Sequence, residues 1–152
     1  MVSSQRYVVR VEADVYTARQ AAERLALREG YPRVAAQEFA LITSELAWNI
    51  VRHAGHGTIS FATVIDPEHG PGLEIHAHDA APPITDLALA QRDGHTAGGP
   101  IPHEIMLRRR GIGSGLGAVA RLGDRLLQRP EGAGKCLIVT RFLARPQRSS
   151  PA

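Results

Sequence analysis

Apolar residues recur in this chain first with the period of a helix and then with that of a strand, and each switch marks an element. Residues 6–11 are a short β-rich run, and Asp14 is a good N-cap for a helix over 15–29 that Gly30 can close. Tyr31-Pro32 separates it from a second helix over 33–53, stopped by Gly55-His56-Gly57. Two strands follow, 58–65 and 73–79, and the turn residues between them make this a hairpin. Residues 84–92 read as a short helix. The stretch 93–110, with Gly94, Gly98, Gly99, Pro100 and Pro102, reads as irregular chain holding at most a helical turn or two at 104–109. Gly111 to Gly117 then opens a helix that begins at Ala118, and 126–128 with 135–143 makes a final hairpin. The elements add up to an α+β two-layer sandwich, a mixed and mostly antiparallel sheet with helices on one face. One domain over 1–144 and a fraying tail over 145–152 are expected.

Two polar residues break this pattern. On the second helix Phe39, Ile42, Leu46 and Ile50 run down one side, Leu41 and Trp48 lie on another, and Ala40, Ala47 and Val51 sit behind. A helix apolar almost all round is a buried helix. Yet Glu45 and Asn49, one turn apart, form a polar stripe within it. Both a site completed by a ligand or metal and a narrow face meeting water satisfy that stripe. In the second strand Leu73, Ile75 and Ala77 alternate with Glu74, His76 and His78, so Asp79 falls on the apolar face at the strand's end. It reads as a ligand-binding aspartate or as the start of the turn Ala80-Ala81-Pro82-Pro83. His76 and His78 point to the opposite face from Asp79, and metallo-hydrolase spacing is absent, so no metal site is expected among the three.

The alternate glycines Gly111, Gly113, Gly115 and Gly117 ahead of a helix leave backbone N–H groups able to approach an anion. The segment is neither a P-loop, since no Gly-Lys-Ser/Thr follows, nor a dinucleotide fingerprint, since no strand immediately precedes it. Composition narrows the setting. At 152 residues, with 43% hydrophobic and 22% charged residues, the chain is globular, and no apolar run has the length of a membrane span. The first residues lack the apolar core of a secretory signal, and the single cysteine, Cys136, fits a small core residue in a reducing cytoplasm. The net charge of +3 comes from scattered arginines, with only Arg108-Arg109-Arg110 clustered, and no nucleic-acid motif accompanies them.

Helix with Glu45-x-x-x-Asn49, strand ending in Asp79, and a glycine-rich segment opening a helix stand in an order that resembles the GHKL ATP-binding fold. That fold is shared by histidine kinases, Hsp90-type ATPases and anti-sigma-factor kinases. Within it the chain looks like the RsbT-like serine/threonine kinases of bacterial partner-switching systems. The likeness rests on Ala18-Arg19-Gln20, Ser44-Glu45-Leu46-Ala47-x-Asn49-Ile50, Ala54-Gly55-x-Gly57, Asp93-Gly94 and Gly115-Leu116-Gly117-Ala118-Val119-x-Arg121-Leu122.

The resemblance implies ATP and Mg2+ as cofactors. Asn49 would hold the magnesium ion, Glu45 would orient or deprotonate the substrate hydroxyl, and Asp79 would accept the adenine amino group. Gly111, Gly113, Gly115, Leu116 and Gly117 would wrap the triphosphate as part of a lid. The implied substrate is a STAS-domain protein, with a metal-dependent phosphatase or a sigma factor as further partners. Where the family has Asp-x-Gly-x-Gly, this chain reads Asp79-Ala80-Ala81-Pro82-Pro83, and Gly134-Lys135 stands where the family has Gly-Thr. These departures imply weaker nucleotide binding, and an inactive adaptor that acts by binding its partners is the alternative.

Overall fold

The apolar stripes of the two long helices are buried against one face of a five-stranded sheet. The computed structural model describes residues 2–91, 95–96, 99–100 and 115–146, with side chains for 5–91 and 115–146. In chain order the elements are β1 (Val2–Val9), α1 (Glu12–Arg28), α2 (Arg33–His53), β2 (Gly57–Asp66), β3 (Gly70–Asp79) and α3 (Leu87–Ala90). There follow β4 (His95–Thr96), β5 (Gly99–Pro100), α4 (Leu116–Leu122), β6 (Arg125–Glu131) and β7 (Gly134–Phe142). The main sheet has the order β1-β2-β3-β7-β6, and β4 pairs only with β5. Every strand pairing among the described residues is antiparallel, which corrects the mixed sheet expected from the sequence. The β4–β5 ladder lies inside the stretch read as irregular, where two-residue strands are too short to show a period.

Local chemistry shifts several boundaries. The first helix begins at Glu12, with Val11 as its N-cap, so Asp14 sits inside the first turn rather than before it. From there its carboxylate accepts the backbone N–H groups of Arg10 and Val11 at 2.9 and 3.1 Å, closing the chain back onto the helix start. In the β2–β3 turn, Asp66 Oδ1 accepts from the N–H groups of Glu68 and His69, both at 2.9 Å. Gly70 completes that turn at φ +78°, a conformation costly for any residue with a Cβ. The short helix read over 84–92 contracts to Leu87–Ala90, capped by the Asp86 carboxylate on the Leu89 N–H.

The core lies between the two long helices and one face of the sheet. Small residues of α1 (Ala18, Ala22, Ala26) let α2 approach closely, and Phe39, Ile42, Leu46 and Ile50 of α2 meet Ile59, Ile75, Leu137 and Val139 of the sheet. Each such large side chain, fully removed from water, contributes about 1.5 to 3 kcal/mol. Trp48 lies at the margin of this core, 9% exposed, with the Arg52 guanidinium 5.2 Å from its ring centre. Buried Arg141 of β7 ties the layers together. Its Nη1 donates to Glu38 of α2 at 2.7 Å and to the Leu122 carbonyl at the end of α4 at 2.8 Å. Asp124 accepts the Phe142 N–H, and Arg145, read as the first tail residue, donates to Asp124 at 3.0 Å and to the Arg121 carbonyl at 2.7 Å.

Candidate functional site

The polar stripe on α2 is drawn into the protein. Glu45 is only 3% exposed, and Asn49, one turn on, is half-buried. A narrow face meeting water is therefore not what the helix presents at Glu45, whose carboxylate is shielded from solvent. Downstream on the same helix, Ile50 comes close to the end of β3. A Cβ on Gly57 would lie 2.9 Å from Ile50 Cγ2 and 3.2 Å from Asp79 Cβ, so helix and strand converge at a position that only glycine fills.

Asp79 meets a partner that the sequence reading did not foresee. Its register opposite Lys135 of β7 brings the ammonium Nζ to 2.9 Å from Oδ1, and both side chains are 2% exposed. The same oxygen accepts the Ala81 N–H at 2.9 Å, so the aspartate also starts a turn, as the second sequence reading had it. Where the family has Gly-Thr, Gly134-Lys135 thus puts a cation against the aspartate. The available signal was parity, since Lys135 alternates in phase with the buried Leu137 and Val139. Gly134 is required for this closure, because a Cβ there would collide with the Asp79 carbonyl and stand 2.9 Å from Ala80 Cα.

A cavity of about 280 Å³ opens beside the ion pair, lined by His53, Lys135, Ala81, Pro82, Pro83, Ile84 and Thr85. His53, the last residue of α2, is thus part of the cavity's wall. The Ala81-to-Pro83 segment is pinned to β6 by a reciprocal pair. Ile84 N–H donates to Gln128 Oε1 at 2.8 Å, and Gln128 Nε2 donates to the Ile84 carbonyl at 3.0 Å. Of the glycine-rich segment, Gly111 and Gly113 lie outside the described residues, as do Asp93 and Gly94. Gly115 takes φ +56° at the N-cap of α4, and Leu116 and Gly117 are buried in the first turn of that helix.

A five-stranded antiparallel sheet covered on one face by helices defines a class. Residues 9–141 match the histidine kinase-like ATPase domain family, and the chain belongs to that family, whose fold is of the GHKL type. Among characterised proteins, it is 34% identical over 116 residues to the serine/threonine-protein kinase RsbT of Bacillus subtilis strain 168. That match covers 76% of this chain and 78% of RsbT. In fold it is similar to a chain in the crystal structure of the SiaB-SiaC complex from Pseudomonas aeruginosa. The TM-score is 0.55 at 14% identity, with 92% of this chain and 89% of the other covered. Among the described residues no helix is long and apolar enough to cross a membrane.

Proposed function

We propose that this protein is an ATP-dependent serine/threonine kinase of a partner-switching module, phosphorylating a STAS-domain regulatory protein. The relationship to RsbT across 116 residues carries this reading, because the matched family region, 9–141, contains Glu45, Asn49 and Asp79. The residue fits the cofactor's metal: the half-buried Asn49 carboxamide offers a neutral oxygen of the kind magnesium accepts alongside phosphate and water oxygens. Bound magnesium supplies charge neutralisation at the phosphates. Asn49 would hold it through its amide oxygen. Glu45, shielded from water, would accept the proton of the substrate hydroxyl and align its oxygen for attack. The catalytic domain occupies 1–144, the setting is the cytoplasm, and Gly111, Gly113, Gly115, Leu116 and Gly117 belong to the segment that covers the phosphates.

At the base end the fit is conditional. Asp79 Oδ1 is already shared by Lys135 and Ala81, so an adenine amino group would meet a carboxylate whose charge the ammonium ion has already neutralised. That ion pair favours a second reading, an adaptor that binds a STAS protein, a phosphatase or a sigma factor without phosphotransfer. The discriminating experiment incubates the purified protein with magnesium-ATP and a cognate STAS protein and follows phosphoserine or phosphothreonine by mass spectrometry. Phosphotransfer is expected, reduced at least about 100-fold in Asn49→Ala and in Glu45→Ala with the fold intact. A stable STAS complex with no calorimetric ATP binding would leave the adaptor as the function.

A further inference from the structure

The sheet face turned away from the helices carries a cluster that the kinase reading does not use. His76 and His78 project from β3, and Cys136 projects from β7 directly opposite His78 in the antiparallel register. One ring nitrogen of each histidine and the cysteine sulfur lie within 4.8 Å of one another. We propose that His76, His78 and Cys136 form a binding site for a zinc-class divalent cation on the outer face of the sheet.

Geometry supports the site at its best-defined edge. Cys136 Sγ stands 3.6 Å from His78 Nε2. Two ligands held at zinc–sulfur and zinc–nitrogen bond lengths at a tetrahedral angle are about 3.6 Å apart, so this edge is already at its liganded length. No two of the three ligand atoms are more than 4.8 Å apart, so His76 has at most about 1.5 Å to close to reach a tetrahedral nitrogen–nitrogen edge of about 3.3 Å. The surroundings orient the ligands as metal sites do. His78 Nδ1 meets Glu131 Oε2 at 2.8 Å, which turns the Nε2 lone pair toward the sulfur, and His76 Nε2 contacts Glu74 Oε1 at 3.1 Å. The hydrogen bond from His78, then the one from Arg129, holds the Glu131 carboxyl below its usual range, so it stays an acceptor.

Sulfur and imidazole select a borderline or soft cation and disfavour magnesium, which keeps this site chemically separate from Asn49. The histidine side chains are 20% and 33% exposed, leaving a path for the ion and room for water as the fourth ligand. Burial pushes the Cys136 thiol up to about 11, so binding breaks its S–H bond, forms the sulfur–metal bond and releases one proton to solvent, with no redox change. The pair His78/Cys136 adjoins the pair Asp79/Lys135 in the same ladder, on the opposite face. A cation there would fix the two strands behind the base end of the nucleotide site.

The test titrates the full chain with zinc and, separately, with cobalt(II), each in excess magnesium. One equivalent should bind, and the cobalt adduct should show thiolate-to-cobalt charge-transfer absorption. Zinc affinity should fall at least about tenfold in His76→Ala and in His78→Ala, and about 10- to 100-fold in Glu131→Gln, while Cys136→Ala should lose the absorption band. Because Cys136 is fully buried, the two histidine variants decide the matter alone if Cys136→Ala does not fold, with circular dichroism as the check. A cobalt adduct without the charge-transfer band, or parental zinc affinity in His78→Ala, overturns the proposal.

Discussion

Lys135 places an ammonium ion in a nearly dry position against the carboxylate expected to read adenine, and the free energy of that pair now bears on both stability and binding. Removing one partner of a buried pair leaves the other uncompensated, which costs about 3 to 5 kcal/mol. Lys135→Thr should therefore lower stability in urea by about that amount. It should also remove the cation that neutralises the Asp79 carboxylate and tighten magnesium-ATP binding by about tenfold, equivalent to about 1.4 kcal/mol. Unchanged ATP affinity in calorimetry would mean that neutralising the carboxylate does not weaken binding of the base. In the sequence, Asp79 was visible as a carboxylate in phase with Leu73, Ile75 and Ala77, and Glu45 as a polar residue on an apolar helix. Their partners were not visible, because alternation gives the face of a strand and never its neighbour; Asp79 meets Lys135 only through a register set 56 residues away.

At the scale of elements, α2 is held to α4 and β7 by the Arg141 guanidinium. Its Nη1 bridges Glu38 and the Leu122 carbonyl, while its Nε lies 4.0 Å from Asp124 Oδ2. This link fixes the helix that follows the glycine-rich segment relative to the helix that bears Glu45 and Asn49. Arg141→Ala should destabilise the protein by about 1 to 3 kcal/mol in chemical denaturation, since it leaves the Leu122 carbonyl and Glu38 without their buried donor and opens the α2–α4 junction. A loss under 1 kcal/mol would show that water replaces the guanidinium at no cost. The long elements were legible because each spans several periods of its pattern, whereas the β4–β5 ladder and the contracted α3 were not. Two to four residues hold too little pattern to separate a strand or a helical turn from a loop.

For the whole molecule, the helix layer and the sheet are joined by Tyr31, whose hydroxyl donates to the Arg141 carbonyl at 2.6 Å. Burial raises its pKa from 10.0 to about 12. A folded pKa above the unfolded one means that the contribution is complete below about pH 10 and is lost as pH rises toward 12, a change of about 2 to 3 kcal/mol. Urea unfolding of the parent and of Tyr31→Phe should accordingly converge in stability across that window, and a constant difference up to pH 12 would rule out the linkage. The same architecture also gives the chain an optical probe. Trp48 is the chain's only tryptophan, it immediately precedes Asn49, and the Arg52 guanidinium rests 5.2 Å from its ring. An indole so placed emits from the very turn of helix where the metal-bound phosphates are expected, so ligand occupancy can be followed as a change in intrinsic fluorescence, with no dye attached and no residue replaced.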